Sequence, residues 1–75
     1  MFDSVAALNS PKTDRNLFAY LWQNNLPIEE EGEGKYKVRT DKLDAMDMLV
    51  ISSYDSEYIH INGTYDYMYI TIMEG

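Results

Sequence analysis

The hydrophobic period changes once along this chain, and that change narrows the fold to one class. Before residue 26, Leu17, Phe18, Leu21 and Trp22 recur at i, i+1, i+4 and i+5, laying one wide apolar stripe on a helix. After residue 34 the pattern becomes alternation. Lys35-Tyr36-Lys37-Val38-Arg39 puts Tyr36 and Val38 on one face and three cations on the other, as in an antiparallel strand with one wet face. Helix first and sheet second is the order of an α+β domain in which the helix covers one face of the sheet.

The helical part is read as residues 1–27. Phe2, Val5, Ala6 and Leu8 stand at near-helical spacing, enough for a short turn over residues 2–8. The main helix runs from Pro11 to Asn25, with Ser10 as its cap and Pro11 at its first position, where a missing amide costs nothing. Leu26-Pro27 ends it, because the residue before proline is pushed out of helical geometry. Residues 28–34, which include Glu29, Glu30, Glu31 and Glu33, are read as an exposed acidic loop, since like charges repel and two glycines add backbone freedom.

The sheet part is read as residues 35–75. Within it, residues 41–46 suit a short helical turn capped by Thr40 or Asp41, or else a tight connection. Met48 to Tyr54 reads as a buried strand from its apolar content and from β-branched Val50 and Ile51. A turn at residues 54–57 leads to a strand from Tyr58 to Ile61, an Asn62-Gly63 hairpin and a last strand from Thr64 to Met73. Two hairpin registers stay open: a two-residue turn sets Ile61 opposite Thr64, and a bulge at Gly63 sets it opposite Tyr65. Tyr65, Tyr67 and Tyr69 line one hairpin face in both. The expectation is one domain of 75 residues, a single main N-terminal helix on a three- or four-stranded antiparallel sheet. Its core includes Leu17, Phe18, Leu21, Val38, Val50, Ile70 and Ile72.

A domain this small is marginally stable, and the absence of cysteine removes disulfides and thiolate-rich metal sites as staples. No basic n-region opens the chain, and the longest strongly apolar run, Met48-Leu49-Val50-Ile51, is far short of the roughly 20 residues that span a bilayer. A cytoplasmic location without membrane contact is the expectation.

Charge is distributed unevenly. Residues 43–75 hold no lysine or arginine, yet carry Asp44, Asp47, Asp55, Glu57, Asp66 and Glu74, together with five of the seven tyrosines. The formal net charge of −7 arises almost wholly there. Such an excess repels nucleic-acid phosphate and anionic lipid and attracts basic surfaces. The cationic face of Lys35, Lys37 and Arg39, with Lys42 beyond it, is the one feature suited to phosphate. Nothing in the sequence sets aromatics beside it as a stacking platform, and carboxylates of a neighbouring strand are its expected partners.

No phosphate loop, dinucleotide-binding glycine run, zinc spacing or nucleophile elbow occurs. His60, the single imidazole, is read as a cross-strand neighbour of an aromatic rather than a catalytic base. Asp44 and Asp47 converge if their segment is helical, but calcium needs six to eight oxygens on a dedicated loop. No catalytic residue, metal site or cofactor is expected.

The expected function is that of a small acidic protein that docks on a basic protein surface and inhibits or regulates it. Asp44, Asp47, Asp55, Glu57 and Asp66 supply the attraction, and Tyr65, Tyr67 and Tyr69 the contact area. One form of this reading is nucleic-acid mimicry against a nucleic-acid-binding protein or enzyme, without direct nucleic-acid binding, because strand carboxylates two residues apart are about 6.7 Å apart, close to the axial rise of two phosphates. The alternative is a structural or regulatory module whose copies associate, as a homodimer for instance, through the tyrosine-bearing sheet face. A small enzyme ranks last.

Overall fold

A computed structural model of the chain describes residues 9 and 11–73. The proposed helical turn at residues 2–8 and the cap at Ser10 lie outside the described residues. The elements in chain order are α1 (Asp14–Gln23), β1 (Ile28–Gly32), β2 (Lys35–Arg39), a 3-10 turn (Thr40–Lys42), α2 (Ala45–Ser52), β3 (Ile59–Gly63) and β4 (Tyr67–Ile72). The four strands form one antiparallel sheet in the order β1-β2-β4-β3, so β2 and β4 are its inner strands. The α+β class is as expected, with four strands.

Helix α1 starts three residues later than expected. Thr13 caps it, accepting from the Asn16 amide at 3.2 Å, and Pro11 stands before the cap, its carbonyl accepting from Asn16 Nδ2 at 2.7 Å. The end is a Schellman closure: the Leu26 amide donates to the Leu21 carbonyl at 2.9 Å and the Asn25 amide to that of Trp22 at 3.1 Å. Asn25 takes the left-handed conformation this requires, at φ 56°. The closure turns Leu26 back into the core beside Leu21. Leu17, Tyr20 and Leu21 are buried, Phe18 meets Tyr36 edge to face at 4.9 Å, and Trp22 stands 79% exposed at the margin of the stripe.

The acidic segment is not a loop. Residues 28–32 form edge strand β1, with Ile28 opposite Val38, Glu29 opposite Lys37 and a bulge between Glu30 and Gly32. Cross-strand cations and a solvated edge position offset the like-charge repulsion that argued for a loop: Lys37 Nζ lies 2.6 Å from Glu31 Oε1. The turn to β2 needs Gly34, whose φ is 72° and where an added Cβ would come 3.0 Å from the Ile72 carbonyl oxygen.

The expected strand from Met48 to Tyr54 is also corrected: most of it is helix α2, preceded by the 3-10 turn at 40–42. The β-branched residues were outweighed by a capping box. Asp44 Oδ1 accepts from the Asp47 amide at 2.8 Å, and Asp47 Oδ2 accepts from the Asp44 amide at 3.2 Å. Met46, Met48 and Leu49 then supply strong helix formers. Helix α2 lies beside α1, and the Tyr20 hydroxyl donates to Asp47 Oδ1 at 2.7 Å.

The last hairpin takes neither expected register. Asn62 and Gly63 are strand residues, opposite Tyr69 and Met68, and the connection is residues 64–66. Thr64 closes it: its amide donates to the Tyr67 carbonyl at 2.7 Å, and its Oγ1 accepts from the Tyr67 amide at 3.1 Å. Ile59 therefore faces Ile72, and Ile61 faces Ile70. This places the isoleucines together on the helix side and sends Tyr67 and Tyr69 to the open face, the arrangement that buries most apolar surface.

The core contains Leu17, Leu21, Val38, Val50 and Ile70 as expected, with Phe18 and Ile72 half-buried at its border. It also contains Tyr20, Tyr54, Ile51, Ile59, Met68, Leu26 and Leu43. The two sheet edges end differently. On β3 the amides of Ile59 and Ile61 donate to Ser56 Oγ at 3.2 Å and Asp55 Oδ1 at 2.9 Å, and the Ile59 carbonyl accepts from the Ser56 amide at 2.7 Å. On β1, Glu29, Glu30 and Glu31 occupy three of five positions.

Candidate functional site

The carboxylates singled out by charge do not form one surface. Asp44 and Asp47 build the start of α2, and Asp47 also holds α1 through Tyr20. Asp55 is spent on the β3 edge. Glu57 is exposed in the preceding turn, while Asp66 is exposed in the β3–β4 connection at the far end of β3. None of the five stands on a strand.

The tyrosines divide in the same way. Tyr67 and Tyr69 share the open sheet face, their ring centroids 5.9 Å apart, and both are half-buried. Tyr65 leaves that row and projects from the β3–β4 connection at 96% exposure.

On the open face, register sets Lys37 opposite Tyr69 and Arg39 opposite Tyr67. Aromatics therefore do adjoin the cations, contrary to the sequence reading. Lys37 Nζ sits 4.5 Å from the Tyr67 ring centroid while paired with Glu31. Its bond to Glu31 raises the Lys37 pKa above the ordinary 10.5, helped by the charges of Glu31, Tyr67 and Glu29 and opposed by desolvation. Arg39 pairs with Asp41 at 2.7 Å. The face is thus largely compensated within one chain, and the lysine already covers one side of the Tyr67 ring. His60 is exposed at its border, opposite Thr71 rather than an aromatic residue.

A different arrangement occurs at the end of the domain where the 3-10 turn, α2 and the β3–β4 connection meet. A shallow cleft there is lined by Arg39, Thr40, Asp41, Met48, Tyr65 and Asp66. Thr40 fixes the connection from both directions. Its Oγ1 donates to the Tyr65 carbonyl at 2.6 Å, and its amide donates to the Asp66 carbonyl at 2.9 Å. Tyr65 consequently has a clamped backbone and a free ring. The cleft carries two carboxylates, Asp41 and Asp66, against the single cation Arg39, which pairs with Asp41 at 2.7 Å, so its lining is net negative.

The sequence singles out Tyr65 and Asp66 but not the Thr40 contact, which joins residues 25 apart. Nor does it reveal that α2 is apolar on its outer side. Met46 is 40% exposed and Leu49 54% exposed, with exposed Ala45 on the same turn.

Among the described residues no group of three or more histidine, cysteine, aspartate or glutamate side chains is placed to hold a metal ion, and no helix is long and apolar enough to cross a membrane. No family model, curated protein or solved structure matches this chain.

Proposed function

We propose that the protein is a binding module that docks on a basic protein surface and inhibits or regulates that partner. The docking end is the one formed by Tyr65, Asp66, Asp41 and Asp44. The observation that carries this reading is the state of Tyr65. A tyrosine at 96% exposure loses its solvation on binding in exchange for a large contact area, while Thr40 already holds its backbone carbonyl and that of the next residue, Asp66. Less ordering entropy remains to be lost than for a residue on a free loop. The surrounding carboxylates select cationic partners and speed their approach.

Mimicry of nucleic acid is left out of the proposal. The strand spacing that suggested it is not carried by Asp44, Asp47, Asp55, Glu57 and Asp66, which stand on helix and turns. Self-association through the open sheet face has weaker support, because Tyr67 and Tyr69 are half-buried and the face pairs its charges internally.

The test is affinity capture from native extract at low salt, with the wild type and the Tyr65→Ala/Asp66→Asn double variant as parallel baits. A basic protein retained by the wild type, lost with the double variant, kept by Tyr69→Ala and released as salt rises is the expected outcome. Identical captures by both baits would refute the assignment.

A further inference from the structure

Helix α2 breaks the usual rule for a surface helix. Six of its eight residues are apolar, and its polar members are Asp47, turned to Tyr20, and Ser52 at the end. Val50 and Ile51 face the core, which accounts for one side. Ala45, Met46 and Leu49 lie on the other side in water, where charged residues ordinarily stand. Met46 and Leu49 are i, i+3 neighbours, and Ala45 leaves room for a second backbone to approach. Met48, on the same helix and half-buried against the core, also lines the Tyr65 cleft, so α2 contributes to both the apolar face and the acidic end.

We infer that this outer face of α2 receives the apolar side of a basic amphipathic helix. The inference rests on the docking reading above and names the partner's chemistry. Asp44 stands at the start of α2, and Asp41 and Asp66 share a cleft with Met48 of the same helix, so a helix laid on Ala45, Met46 and Leu49 has carboxylates toward one end of its contact. Apolar anchors at helical spacing flanked by lysine or arginine match both features. Methionine adapts its shape to such a ridge. A second copy of this chain fits less well. Its own α2 would bring Asp44 and Asp47 and no lysine or arginine to the contact.

The inference is tested with three synthetic helical peptides: one with leucines on one face and lysines on the other, its leucine and glutamate counterpart, and a lysine and glutamine version without the apolar face. Binding is followed by titration calorimetry against the full chain. The leucine–lysine peptide is expected to bind, the lysine–glutamine peptide at least tenfold more weakly, and the glutamate peptide not at all. Leu49→Lys should weaken the first by at least tenfold with an unchanged circular dichroism spectrum, and Met46→Gln should weaken it without adding charge. Equal binding of both lysine peptides, indifferent to Leu49→Lys but lost with Tyr65→Ala/Asp66→Asn, would overturn the α2 contact and leave docking on a basic partner standing. Failure of both lysine peptides to bind would overturn both. A dimer seen by light scattering and abolished by Leu49→Lys would identify a second copy as the occupant and refute the inference.

Discussion

Replacing Tyr54 with phenylalanine should make the protein more stable. Tyr54 is fully buried, and its hydroxyl has no hydrogen-bond partner among the described residues. Burying such a group without a partner costs about 1–3 kcal/mol, whereas the phenylalanine ring keeps the apolar contacts. Some packing around the lost oxygen is forfeited, so a gain of about 1 kcal/mol is expected, or about 4–8 °C in melting temperature for a domain this size. Tyr20 is the internal control, equally buried but donating its hydroxyl to Asp47 at 2.7 Å. Tyr20→Phe should lose about 1.5 kcal/mol, near the lower bound for a hydrogen bond to a charged group. Urea unfolding of both variants, with the denaturant slope unchanged, reads the two signs directly. Burial also raises the Tyr54 phenol above its ordinary 10.0. With the folded-state value raised, the contribution is whole below the unfolded value and is lost as pH rises through the folded one. Lys37, raised by Glu31, behaves alike over the alkaline range, so the comparison is between variants: Tyr54→Phe should retain more stability than wild type above pH 10. A loss of stability in Tyr54→Phe at neutral pH would refute the account of an unsatisfied hydroxyl.

Other expectations follow from single positions. Leu21→Ala should cost about 2–5 kcal/mol, seen as a large fall in the urea midpoint. Gly34→Ala should cost at least about 1–2 kcal/mol from its left-handed φ of 72°, with crowding of the Ile72 carbonyl added, whereas Asn25→Gly should be neutral or stabilising by up to about 1 kcal/mol. Asp47→Ala should be the more damaging half of the capping box. It removes both an N-terminal partner and the acceptor of Tyr20, about 2–3 kcal/mol together, against about 1 kcal/mol for Asp44→Ala; thermal melts of the two single variants compare them.

The elements best read from sequence were those whose signals agreed. Leu17 and Leu21 sit on a helix with an acidic first turn and a closing Leu26-Pro27, and strand β2 alternates without exception. Errors arose where two local signals competed. Val50 and Ile51 favour a strand, but the reciprocal bonds of Asp44 and Asp47 set the helix, and those bonds required weighing the capping pattern above propensity. The Glu29–Glu33 run reads as a loop in isolation, because its offsetting cations lie on the next strand. Asn62-Gly63 is a strong turn pair, yet pairing four isoleucines is worth more than a tight turn. Of the candidate site, Tyr65 and Asp66 were visible as residue types. Their exposure and fixation were not, because both depend on Thr40 meeting the β3–β4 connection across the fold.

The unequal sheet edges bear on how this protein would behave as a material. Growth into fibrils requires a free strand edge. The β3 edge is partly occupied by Asp55 and Ser56 through directional bonds, and the β1 edge is defended chiefly by the repulsion of its glutamates. Acidification toward the isoelectric point, about pH 4.3, removes the net charge that keeps molecules apart. Strand-by-strand polymerisation is expected to begin at β1 and at acid pH, and lysines placed there instead of glutamates should keep the chain dispersed under the same conditions.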